Sequence, residues 1–160
     1  MDPSGGGDAR HRPDQRPWIR WRLMALDRYT DWRARLTAYV AAGALPEFAY
    51  GRHDCALFAA GAVLAMTGQD FAAAYRGRYS TLRGGLRVLR QDGFADHVAL
   101  AAAHLPACHP SQAMPGDLAV FDSAAGRVLG VVQGQGVYVL DQVGRIVIVP
   151  MREAVGALRV

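Results

Sequence analysis

Apolar positions along this chain repeat first at helical and then at strand spacing, with the change at Pro115-Gly116-Asp117. Trp32, Leu36, Tyr39 and Val40 recur three to four residues apart, which predicts a helix from about Thr30 to Ala42, capped by Thr30 and ended by Gly43. The longest apolar run, Ala56 to Met66, lies inside a second predicted helix from Asp54 to about Thr67 that stops at Gly68. Its alanines and Gly61 let a neighbouring element approach closely. Shorter helices are expected over Asp70–Tyr75, over Ser80–Arg90 with Leu82, Leu86 and Leu89 as its stripe, and from about Ala95 to His104. Pro106 and Pro110 then break the helical pattern.

Beyond Asp117 the apolar runs are short and β-branched: Leu118–Phe121, Val128–Val132, Val137–Leu140 and Ile146–Val149. Turn-forming stretches separate them at Asp122–Gly126, Gly134-Gln135-Gly136 and Asp141–Gly144. Helices followed by an antiparallel meander describe an α+β domain, with Ala157–Val160 expected as an added edge strand.

A chain of 160 residues that is 51% hydrophobic is long enough for one domain with a real core and short for two. No apolar run reaches the roughly 20 residues that a membrane-spanning helix needs. The net charge of +4 comes from arginine, since the sequence holds no lysine. Five arginines lie in the first 22 residues, interleaved with Trp18 and Trp21. That Gly/Pro/Asp/Arg-rich stretch buries too little apolar area to offset its ordering entropy, so residues 1–22 are expected to be a disordered tail preceding a single domain over 23–160. The run opening at Met24 has the look of a natural protein start. With two cysteines and no signal-peptide pattern, synthesis in the cytoplasm is expected.

The chemistry-bearing stretch is Tyr50-Gly51-Arg52-His53-Asp54-Cys55. Asp54 is a good N-cap, which puts Cys55 in the first helical turn, where free N–H groups and the helix dipole favour a thiolate. Such a cysteine is a better nucleophile, and Tyr50, Arg52 and His53 are positioned to orient or stabilise charge around it. The opposing reading makes Cys55 a small buried hydrophobe. Among other histidines, His97 and His104 share a helix face and reach the thiol only if that helix packs over it, while His109 sits in a proline-flanked loop. The paired Cys/His spacing of a structural zinc site is missing, as is the strand-to-helix Gly-Lys context of a phosphate loop, so no metal and no cofactor is expected. Specific nucleic-acid binding is not expected either.

A cysteine opening a buried helix ahead of a small antiparallel sheet resembles the NlpC-type, papain-like cell-wall cysteine peptidases, over roughly Pro46 to the C-terminus. Pro46, Phe48, Tyr50, Gly51, Asp54 and Cys55 match the family's segment leading into the catalytic helix, and Gly116–Phe121 is similar to its first strand. The run YGRHDCALF with the later YRGRY at residues 75–79 resembles more closely an uncharacterised group of phage and prophage proteins encoded among tail-assembly genes. The resemblance implies a papain-like fold with Cys55 as nucleophile, Tyr50 and backbone N–H groups near the oxyanion, and cell-wall peptide or other tail proteins as partners. It also implies a general-base histidine opening the second strand, where this chain has Val128, on a strand expected to face the thiol. His53 is the best substitute by position. Two readings follow: a tail-tip component carried in the virion, with catalysis degenerate, and an active peptidoglycan hydrolase or amidase using Cys55 with a non-standard base.

Overall fold

Trp32, Leu36, Tyr39 and Val40 do form one face of a helix, α1 (Trp32–Gly43), and pack onto the main core. The computed structural model describes residues 25–160; the expected tail over 1–22 and the start at Met24 lie outside the described residues. The N-cap of α1 is Asp31 instead of the expected Thr30, and its carboxylate pairs with Arg35 and makes no cap hydrogen bond. Helix α2 (Cys55–Thr67) begins on Asp54, whose side chain accepts from Leu57 N–H, and ends on Gly68 at φ 77°, a left-handed position that favours glycine. Gly61 admits α1 closely: the Tyr39 ring occupies the space of a side chain there, and its hydroxyl donates to the Phe58 carbonyl at 2.8 Å.

The segment expected as a helix over Asp70–Tyr75 keeps only a 3-10 turn, Ala73–Tyr75, with the Asp70 carboxylate accepting from the Ala72 N–H and pairing with Arg76. Helices α3 (Leu82–Gln91) and α4 (His97–His104) follow, capped by Thr81 and Asp96. The strands are β1 (Ala107–Cys108), β2 (Leu118–Ser123), β3 (Gly126–Gln133), β4 (Gly136–Leu140), β5 (Ile146–Pro150) and β6 (Gly156–Leu158). They form a six-stranded antiparallel sheet in the order β1-β6-β2-β3-β4-β5. The C-terminal strand is therefore interior, between β1 and β2, and not the edge that was expected. Two-residue β1, pinned between Pro106 and Pro110, takes that edge.

Alternation along the strands divides the sheet into two apolar faces. Leu118, Val120, Leu129, Val131, Leu140 and Leu158 face α2 and pack on Phe58, Ala59, Ala62, Val63 and Met66. Ala119, Phe121, Val132, Val137 and Val139 form a second cluster on the other face, joined by Val128, Val147 and Met151. The fold is thus α+β, with the cysteine helix laid on an antiparallel sheet.

Candidate functional site

The turn before Cys55 is closed by its own backbone. Ala49 and His53 exchange N–H···O bonds of 2.9 and 2.8 Å, and Gly51 at φ 77° makes the reversal. Tyr79 backbone lies where a Gly51 side chain would be, and the Gly77 N–H donates to the Gly51 carbonyl at 2.7 Å. The two segments that stand out in the sequence, Tyr50–Cys55 and Tyr75–Tyr79, are therefore in contact. Asp54 fastens them. Buried to 2% exposure, it accepts from Leu57 N–H at 2.9 Å on Oδ1, and from Gly51 N–H at 2.8 Å and the Tyr79 hydroxyl at 2.7 Å on Oδ2.

Cys55 occupies the first helical position as expected, but its electrostatics run the other way. Burial and then the adjacent Asp54 carboxylate push the thiol up to about 11, and the helix-start N–H groups of Cys55 and Ala56 pull down without prevailing. The favourable helix terminus was legible in the sequence; the desolvation that outweighs it was not. Burial likewise raises Tyr50, with smaller contributions from Cys55 and Asp54, so its phenol stays protonated near neutrality. Tyr79 is raised by burial and by Asp54.

Each described imidazole has its own surroundings. His53 Nε2 lies 2.9 Å from the Gly43 carbonyl and its ring stands edge-on to Phe58, so it ties the turn to the end of α1. His104 stacks on Phe71, and His109 Nδ1 meets the Ser111 hydroxyl at 2.7 Å. Sequence reasoning left His97 and His104 alike dependent on their helix packing over the thiol, and of the two it is His97 that α4 brings toward the cysteine helix. It lines a small cavity of about 20 Å³ together with Ala56 and Leu57 of the first turn of α2, Tyr79 and Leu129. Its Nε2 is buried and has no hydrogen-bond partner among the described residues, and burial lowers its basicity against the opposing pull of Asp96 and Asp54.

Val128 requires a correction. It pairs with Phe121 and packs in the cluster on the sheet face away from α2, so it does not face the thiol. Period-2 alternation gives that side to Leu129, which is buried against the helix and lines the His97 cavity. The Gly116-Asp117 pair that resembled a family strand start has a structural task. Asp117, 3% exposed, accepts from Arg28 at 2.7 Å and from the Val160 and Met114 N–H groups, while Arg28 also reaches the Pro115 and Val160 carbonyls. Among the described residues no group of three or more acidic, histidine or cysteine side chains is placed to hold a metal ion.

In comparison with known protein families, one described as "Domain of unknown function (DUF6950)" matches residues 27–160. No curated protein matches the chain.

Proposed function

The chain belongs to the DUF6950 family, and we propose that it is a phage or prophage tail component built on an NlpC-like, papain-like cell-wall peptidase fold whose thiol no longer does chemistry. The observation that carries this reading is that none of the described imidazoles hydrogen-bonds the Cys55 thiol, which burial and Asp54 push up to about 11. A thiol in that state is protonated near neutral pH and is a poor nucleophile. His53, the nearest imidazole in sequence, is held by Gly43. The peptidase-like frame is supported by Cys55 as first residue of a helix packed on an antiparallel sheet. The tail setting rests on the resemblance carried by the YGRHDC and YRGRY segments, which the fold brings into contact. Its partners are other tail proteins or cell-wall peptide, and its final location is the virion.

Incubating the purified protein with peptidoglycan stem peptides is expected to leave them intact, and particles carrying Cys55→Ser are expected to assemble normally. Cleavage by the wild type that disappears in Cys55→Ser overturns the reading.

A second reading, an active cysteine hydrolase or amidase, has one observation in its favour: the unpartnered Nε2 of His97 in a cavity against the first turn of α2. It requires cleavage that is lost in both Cys55→Ser and His97→Ala and kept in His53→Ala.

A further inference from the structure

Three arginines stand in a row on the outer face of α3. Arg83, Arg87 and Arg90 follow one another at intervals of four and three residues, and all are exposed. That spacing sets them about 6 and 4.5 Å apart along the axis on one side of the helix. The opposite side is fixed to the fold. Gly85 and Leu89 are buried, with the Tyr79 ring against Gly85 and with Leu89 in a cluster with Tyr75 and Leu100. Thr81 caps the helix by accepting from the Gly84 N–H at 3.0 Å. The row is therefore held outward before anything binds, and little ordering cost falls on association.

Among the described residues no carboxylate balances the row. Helix α3 contains no acidic residue, and Asp92 and Asp96 just beyond it are taken by Arg78 at 3.6 Å and Arg127 at 2.7 Å. None of the three arginines has a carboxylate within ion-pair distance among the described residues. Arg33, Arg52, Arg152 and Arg159 also lack one there, but each stands singly on a different part of the chain. Helix α3 concentrates three such charges on one surface.

An open trough of about 670 Å³ follows the row, lined by the three arginines with Leu82, Leu86 and Gln91. A lipid surface would need an apolar stripe to insert beside the arginines. Of the leucines only Leu82 is exposed, at 38%, while Leu86 is half-buried and Leu89 is inside. Duplex DNA instead offers about one negative charge per 1.7 Å of its axis, so each guanidinium in such a row finds a phosphate of its own. Its paired N–H donors match the phosphate oxygens, and contacts of that kind carry no sequence information.

We propose that the outer face of α3 binds the phosphate backbone of duplex DNA without regard to sequence, through Arg83, Arg87 and Arg90. This is independent of whether Cys55 reacts.

The test uses the full chain and fluorescein-labelled duplexes of about 20 base pairs in two unrelated sequences, read by fluorescence anisotropy between about 50 and 200 mM salt. The two duplexes are expected to bind alike. Losing one phosphate contact lowers the steepness of log K against log salt by about 0.9. Arg83→Gln, Arg87→Gln and Arg90→Gln are each expected to show that loss, and the triple variant about 2.7. Over that salt range the wild type then weakens about forty times more than the triple variant. Slopes are compared between chains because the arginines before residue 23 add equally to all of them. Arg87→Lys keeps the charge and is expected to keep the slope. Arg152→Gln removes one charge from another element and is expected to bind like the wild type. Unchanged far-ultraviolet circular dichroism shows that the variants are folded. A triple variant with the wild-type slope, or Arg152→Gln as damaging as Arg87→Gln, overturns the proposal. So does the absence of duplex binding at the lowest salt up to about millimolar protein, a preference above about tenfold for one duplex, or polyglutamate bound as tightly as DNA. Arginine-dependent binding to phosphatidylglycerol vesicles without binding to the duplex overturns it too and assigns the face to a lipid surface.

Discussion

Asp54 concentrates more structure on one carboxylate than any other side chain near Cys55, and its removal is correspondingly costly. Asp54→Ala loses an N-cap worth about 1 kcal/mol and strands the Tyr79 hydroxyl at about 1–3 kcal/mol, so urea denaturation should show a loss of about 2–4 kcal/mol. Tyr79→Phe deletes one bond without stranding a backbone donor and should cost nearer 1 kcal/mol. The thiol beside it gives a second expectation. With its titration near 11, Cys55 should react with iodoacetamide slowly at neutral pH, its rate climbing tenfold per pH unit until about pH 11. A plateau near pH 8 would return Cys55 to the activated state that the helix start alone suggests. His97 supplies a third, with the opposite direction. Burial, opposed by Asp96 and Asp54 and aided by Arg127, lowers its folded-state basicity, so the unfolded chain takes up its proton first as the medium acidifies. Stability should be unaffected by this group above about pH 6.5 and should fall as the pH drops below it. A His97→Gln variant should lack that part of the pH profile.

At the level of elements, α2 was the most legible part of the chain because its signals are local. Asp54 and Gly68 mark its ends chemically, and the small residues between them mark it as a packing surface. Gly61 tests that surface. An added methyl would displace the Tyr39 ring, so Gly61→Ala should cost about 1–3 kcal/mol and, in a crystal structure, lengthen the Tyr39–Phe58 hydrogen bond. What sequence pattern left open was decided by tertiary placement. Alternation shows that Val128 and Leu129 point to opposite faces, but which face the cysteine helix covers depends on how the sheet meets α2. The placing of His97 around one cavity with Ala56 and Leu57 likewise depends on the direction in which α4 packs, which its own eight residues do not encode. Two-residue β1 is too short for any periodicity to reveal, and its pairing with β6 moved the C-terminal strand from the edge to the interior. Arg28 carried no motif, yet it joins the start of the described chain to Asp117 and Val160.

On the scale of the whole molecule the sheet has unequal borders. On one side it closes with β1, short and flanked by prolines; on the other it stops at β5, five residues without a charge, whose central Ile148 is 68% exposed. The outward N–H and C=O groups of such a border are a template for another strand, interrupted only at its end by Pro150. Among the described residues, growth in one direction is obstructed and in the other it is open. Concentrated solutions should therefore associate through β5, and Ile148→Lys should raise the concentration at which light scattering first detects association while leaving the melting temperature nearly unchanged. In a crowded assembly the same border leaves the molecule with a sticky side and an inert side, an asymmetry that orients it before any specific recognition begins.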